Sequence, residues 1–158
     1  MKKAQGFPLI KTKMMIPAVR ENLIHRSFLI DSVEKGIKQG FVLVSSPPGY
    51  GKTTLAADWA QQSSTPVVWL TLDSDDNDLL ILNRYLSALF TKFFSNPKNE
   101  INDFQMEGDP LLTYQTILVS LINSCVEMTS EITLVLDDYH VIENPQIHKG
   151  IFFLLEHL

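Results

Sequence analysis

The sequence predicts an α/β domain, a parallel sheet with helices on both faces, and three observations carry that expectation. Short apolar runs bounded by turn residues alternate with longer segments of helical period. A glycine-rich turn ending in Lys52-Thr53 stands between the first apolar run and the helical segment after it. Two adjacent carboxylates, Asp137 and Asp138, close the last apolar run, and such sheets bind ligands at the carboxyl ends of their strands.

The elements follow in order. Residues 1–26 read as an irregular lead-in segment, with Pro8 and Pro17 breaking any helix. Ser27 then precedes Phe28, Leu29, Val33 and Ile37, which share one helical face, and Gly40 stops that helix. Phe41-Val42-Leu43-Val44 has the pattern of a buried strand. Leu55, Ala56 and Trp59 mark the next helix, and Val67-Val68-Trp69-Leu70 a second strand. Asn77 or Asp78 can cap a helix carrying Leu82, Tyr85, Leu86, Leu89 and Phe93, and residues 95–109 read as a loop. Asp109-Pro110 is a cap followed by proline at the first helical position, opening a helix with the stripe Leu111, Tyr114, Leu118, Leu121 and Cys125. Ile132-Thr133-Leu134-Val135-Leu136 is the third strand, and Asn144-Pro145 starts a last helix with Ile147, Ile151 and Leu154.

Composition narrows the classes. The 158 residues suit one domain, and 45% hydrophobic with 20% charged residues exclude a disordered chain. No apolar run reaches the roughly 18–20 residues of a membrane helix, and no apolar stretch follows Lys2-Lys3 as in a secretory signal. A single cysteine, Cys125, rules out an intrachain disulfide and a cysteine metal cage, which fits a reducing cytoplasmic setting. With 13 Lys and Arg against 18 Asp and Glu, a net charge of -5 and no basic stripe, the chain does not read as a nucleic-acid binder. The arginines are Arg20, Arg26 and Arg84 alone.

The turn after the first predicted strand, Ser46-Pro47-Pro48-Gly49-Tyr50-Gly51-Lys52-Thr53-Thr54, has the context of a P-loop. Glycines at 49 and 51 let the backbone curl its N–H groups into a nest for phosphate oxygens, and the following helix adds its positive end. Lys52 can reach the β- and γ-phosphates and the Thr53 hydroxyl can ligate Mg²⁺. The pattern G-x-x-x-x-G-K-[ST] asks for glycine at position 46, where this chain has serine, at the mouth of the loop. The expected fold is therefore a P-loop NTPase-type sheet. Asp137 is assigned to Mg²⁺ through water, and Asp138 to polarising the attacking water.

Other polar residues read as structural. Asp73, Asp75, Asp76 and Asp78 suit helix capping and a solvated loop. His140 and His148 lack partners at zinc spacing. Trp69, Cys125 and the phenylalanines 90, 93 and 94 read as core.

Four segments also occur together and in order in one known family: Pro48-Gly49-Tyr50-Gly51-Lys52-Thr53-Thr54; Trp69-Leu70-Thr71-Leu72-Asp73 with Asp76-Asn77-Asp78; Leu136-Asp137-Asp138-Tyr139-His140; and Asn144-Pro145 with Ile147-His148. The chain resembles the N-terminal nucleotide-binding domain of the MalT-like, LuxR-type transcriptional activators, which are signal-transduction ATPases of the STAND class. Thr12-Lys13 through Pro17, Arg20 and Arg26 resemble that family's opening segment. The resemblance implies a switch: ADP held in a resting monomer, exchange for ATP with self-association, slow hydrolysis, and DNA bound only through a C-terminal helix-turn-helix. It places Lys52, Thr53, Asp137 and Asp138 at ATP and Mg²⁺, and Arg26 near the nucleotide.

In that class a further strand, ending in a Ser-Arg sensor pair, lies between the P-loop strand and the Asp-Asp strand. It would begin after Leu158, so the chain reads as truncated before the sensor strand, without winged-helix, sensor or helix-turn-helix domains. Unpaired strand edges, limited stability or self-association are then expected, with weak turnover. Two alternatives stand beside this reading: a small P-loop kinase, which would bring lid arginines that are missing after Arg84, and a non-catalytic interaction fragment.

Overall fold

The computed structural model of the chain describes residues 8–20, 22–93, 109–128 and 131–157. It is an α/β fold of P-loop type with a two-stranded parallel sheet, β1 (Val67–Thr71) beside β2 (Thr133–Asp137), in register from Val67 against Thr133 to Thr71 against Asp137. Among the described residues five α-helices surround it: α1 (Ser27–Ile37), α2 (Lys52–Gln62), α3 (Leu79–Phe93), α4 (Pro110–Glu127) and α5 (Pro145–His157).

Alternation along the strands sorts the helices into two layers. Val68, Leu70, Leu134 and Leu136 face one side and pack with α3, α4 and α5 around Leu86, Tyr114 and Ile147. Trp69 and Val135 face the other side and meet α1 and α2 through Val33, Ala57 and Trp59. Both faces of the sheet are thus covered, as a parallel pair requires. Leu70 and Ile117 are wholly buried and Trp69 nearly so, each worth about 1.5–3 kcal/mol against exposure. Gly150 lets α5 approach α4, since a Cβ there would collide with the Tyr114 ring.

The expected caps are in place. Asp109 accepts from Leu111 N–H with Pro110 at the head of α4, and Asp78 accepts from Leu80 N–H at the head of α3. Asn77 does other work: its side chain spans to the loop after β2, donating to the Val141 carbonyl and accepting from Glu143 and Asn144 N–H. The predicted loop at 95–109 lies outside the described residues except for Asp109, as do Phe94 and the side chain of Phe93. Phe90 and Trp69 are core. Cys125 is half-buried, and burial pushes its thiol pKa up.

One element is corrected. Phe41–Val44 is not a buried strand: the segment has no ladder partner, and Phe41 and Leu43 are 60% and 78% exposed. A strand is defined by its neighbour, and β2 is paired on its β1 side only among the described residues. The segment instead leans on α1, with Val42 so close to Gly36 that a Cβ there would collide with it.

No described helix is long and apolar enough to cross a membrane.

Candidate nucleotide-binding site

The glycine-rich turn runs from the exposed Phe41–Val44 segment into α2. Gly49 and Gly51 sit at φ +83° and +81°, the left-handed region in which a side chain is strained by about 1–2 kcal/mol. Tyr50 N–H closes a turn back to the Pro47 carbonyl, and Gly51, at the helix cap, accepts the first α2 bond from Leu55. The loop thereby delivers Lys52, Thr53 and Thr54 in the first turn of α2, where backbone N–H groups have no intrahelical partner. Ser46 is half-buried, and Pro47, Pro48 and Tyr50 are exposed.

Lys52 Nζ curls over the loop and donates to the Ser46 carbonyl at 2.9 Å, with Pro47 O at 3.4 Å. The Thr53 hydroxyl donates to Asp137 Oδ1 at 2.9 Å, joining the head of α2 to the carboxyl end of β2 across 84 residues of chain. Asp137 is 9% exposed. Burial raises its pKa; the Thr53 bond and the Lys52 charge work against that rise, and the Asp138 charge adds to it. Its backbone carbonyl extends the sheet by accepting Leu72 N–H, which fixes the side chain's origin.

Asp138 follows in the left-handed conformation, φ +56°, which aspartate tolerates better than most residues. That turn separates its carboxylate from Asp137's, and His140 Nδ1 lies 3.7 Å from it. Tyr139 turns back to bond His148 on α5 at 2.7 Å, so this histidine is structural, as expected.

Of the sequence-predicted residues, Lys52, Thr53 and Asp137 come together, and Asp138 adjoins them. Arg26 stands exposed at the head of α1, where its carbonyl accepts Leu29 and Ile30 N–H. Its neighbour His25 is what reaches α2, with Nδ1 3.0 Å from both carboxylate oxygens of Asp58. Asp58 is buried and also receives Gln62 Nε2. A carboxylate inside the run Ala57-Asp58-Trp59-Ala60 signals a partner from elsewhere, because burial without one is costly.

A second clamp went unread in the sequence. Lys13, in the 3-10 turn Lys11–Met14, reaches Asp76 Oδ2 at 2.5 Å and Asp73 at 3.1 Å, and lies over the Tyr85 ring. Asp73 closes a capping box, as its residue type suggests, whereas Asp76 is fully buried rather than solvated. Among the described residues no cluster of three or more His, Cys, Asp or Glu forms a metal cage. Thr53 and Asp137 instead supply two hard oxygen donors, a set that suits Mg²⁺, which takes few protein ligands.

Fold and site together define an α/β chain with a P-loop-like turn facing a strand-end carboxylate. The chain is 31% identical over 152 residues to the HTH-type transcriptional regulator MalT of Vibrio parahaemolyticus, with 94% of this chain and 16% of the relative covered. MalT of Klebsiella pneumoniae is 30% identical over 149 residues, again with 94% and 16% covered. The serine/threonine-protein kinase PknK of Mycobacterium tuberculosis is 30% identical over 153 residues, with 94% and 13% covered. The resemblance to MalT-like proteins is thereby borne out, and the chain spans about one-sixth of the length of the MalT relatives it matches. No family model matches the chain.

Proposed function

We propose that the chain is the nucleotide-binding part of a MalT-like regulator, holding Mg-ATP or Mg-ADP and serving transcription control as a nucleotide-dependent switch. The observation that carries this reading is the Thr53–Asp137 contact, which joins the helix after the glycine turn to the carboxyl end of β2. The similarity to MalT over 94% of the chain adds the regulatory setting.

In this reading phosphate oxygens rest on the loop N–H groups and the head of α2. Lys52 exchanges the Ser46 carbonyl for a phosphate, since a bond between two ionised groups is stronger than one to a neutral carbonyl. Thr53 and Asp137 would hold Mg²⁺ and its waters, and the ion would supply neutralisation of phosphate charge. Asp138, the more exposed carboxylate, orients the water for slow hydrolysis. The family resemblance would bring Arg26, exposed at the head of α1, near the nucleotide. Self-association in the ATP state and DNA binding belong to the longer protein, the latter through a domain outside this chain.

Calorimetric titration with Mg-ATP and Mg-ADP, beside Lys52→Ala, tests the reading. Binding by the wild type that the variant loses supports it. Equal binding by both, or none by a folded wild type, overturns it for this chain.

A further inference from the structure

We infer that Asn77 is a positioning residue: from beyond the carboxyl end of β1 it braces the turn that carries Asp138, and so sets where that carboxylate points. The inference deepens the function proposed above and rests on it, because the aim of Asp138 matters where a nucleotide is hydrolysed. Asp138 follows β2 directly, at φ +56° and ψ +29°, a backbone conformation that a residue with a Cβ adopts at a cost. Such a conformation persists where its surroundings over-determine it. The near end is fixed, since the Asp138 N–H bonds the Asp137 carboxylate. Beyond it, the Asp138 carbonyl accepts Val141 N–H and the Tyr139 carbonyl accepts Ile142 N–H, each at 3.1 Å. His140 Nδ1, at 3.7 Å, is beyond hydrogen-bond reach of the Asp138 carboxylate, so the backbone beneath sets its aim.

Asn77 holds the far end of this turn. Its side-chain amide is used to capacity: Nδ2 donates to the Ser74 and Val141 carbonyls at 3.1 and 2.9 Å, and Oδ1 accepts Glu143 and Asn144 N–H at 2.6 and 3.0 Å. Its own carbonyl accepts Asn144 Nδ2 at 2.8 Å. Val141 is the link, because its N–H closes on Asp138 while its carbonyl is held by Asn77. Asn77 serves as a fixed point because the 3-10 turn it ends, Ser74–Asn77, is itself pinned. Asp73 closes the capping box of that turn, and the fully buried Asp76 is clamped by Lys13. Capping does not account for Asn77, since Asp78 is what accepts from Leu80 N–H at the head of α3.

The phosphate and Mg²⁺ residues do not hang from Asn77. Asp137 sits in the ladder opposite Thr71, its carbonyl accepts Leu72 N–H, and its carboxylate accepts the Thr53 hydroxyl. Loss of Asn77 therefore separates hydrolysis from binding.

The test takes the 158-residue chain with Asn77→Ala, with Asp138→Asn, with both, and with Gly150→Ala as a variant destabilised away from the site. In ligand-free hydrogen exchange, Asn77→Ala should speed Val141 and Ile142 N–H about tenfold and leave Leu72 N–H unchanged. Mg-ATP affinity by calorimetry should stay within about threefold of wild type, while single-turnover hydrolysis falls about tenfold. Added to Asp138→Asn, it should lower hydrolysis no further, since both changes act through one carboxylate. Asn77→Asp keeps the acceptor and deletes the bond to Val141; it should show the same pattern, and serves if the alanine variant does not fold. Gly150→Ala should keep wild-type hydrolysis despite a lowered melting point. Unchanged exchange at Val141, affinity and hydrolysis falling together, or a double variant slower than Asp138→Asn by the full Asn77→Ala factor overturns the inference. So does a wild type that binds Mg-ATP without hydrolysing it, and nucleotide binding survives each of these results. A folded wild type that binds no Mg-ATP overturns the proposed function, and this inference with it.

Discussion

Replacing Lys13 by methionine isolates the energetics of the lead-in clamp. The change keeps most of the aliphatic stem and removes the ammonium, leaving Asp76 with a fully buried carboxylate. Oδ2 would keep one bond, from Asp73 N–H at 2.8 Å, and Oδ1 has no protein hydrogen-bond partner even with Lys13 present. Breaking a buried pair from one side costs about 3–5 kcal/mol. For a chain of this size each kcal/mol moves the melting point by roughly 2–4 °C, so a fall of about 10 °C is expected. Burial works against the Lys13 charge, yet the bonds to Asp76 and Asp73 outweigh it and leave its pKa raised above 10.5. The clamp therefore contributes fully at neutral pH, and its contribution is lost only as the pH climbs past 10.5 and through the raised value. Thermal unfolding by circular dichroism reads the effect, and Lys13→Met combined with Asp76→Asn should recover part of the loss by removing the stranded charge. A melting point for Lys13→Met within 2 °C of wild type, about 0.5 kcal/mol, would refute the reasoning.

Asp137 carries two further predictions. Asp137→Asn removes a carboxylate that burial disfavours, so the ligand-free chain should melt no lower than wild type while Mg²⁺-dependent nucleotide binding falls at least tenfold by calorimetry. Because its pKa is raised, Asp137 takes up a proton at a pH above the ordinary 3.8, and Mg²⁺ competes with that proton. Mg-nucleotide affinity should therefore weaken on acidification before an unperturbed carboxylate would titrate, and the Asp137→Asn variant should lack this pH dependence. At the α4–α5 crossing, Gly150→Ala should destabilise the fold by about 1–3 kcal/mol in urea titration, since its Cβ would overlap Tyr114.

Helices and caps were legible because their signals are local. Asp109-Pro110 and the Lys52-Thr53 turn each specify structure within a few residues, and both stand where expected. Asp137 was legible for a similar reason: five strand-forming residues run straight into it. Phe41–Val44 was misread because an apolar run reports burial propensity, and pairing depends on what lies alongside. Asp76 was misread because its partner comes from 63 residues earlier. Within its own acidic loop it is indistinguishable from the capping residues around it. His25–Asp58 spans 33 residues and was hidden likewise, though an aspartate among Ala57, Trp59 and Ala60 carried a hint.

The site depends on a layer that supplies none of its functional groups. Thr53 meets Asp137 only while α2 keeps its place over β2, and Trp59 governs that seating. Its ring packs in the cluster with Ala57 and Trp69 while its indole N–H donates to Glu34 of α1 at 2.8 Å. Trp59→Phe would keep an aromatic ring, delete the N–H and leave the half-exposed Glu34 to water, so the stability cost is about 1 kcal/mol. The consequence for the site is larger if α2 rotates or slides by a fraction of an ångström, because a hydrogen bond of 2.9 Å tolerates little displacement. Trp59→Phe should therefore weaken Mg-nucleotide binding several-fold in calorimetry while the melting point falls by only a few degrees, although residue 59 lies nearly two turns along α2 from Thr53. Unchanged affinity alongside the lowered melting point would show that α2 is held in register by the glycine turn alone.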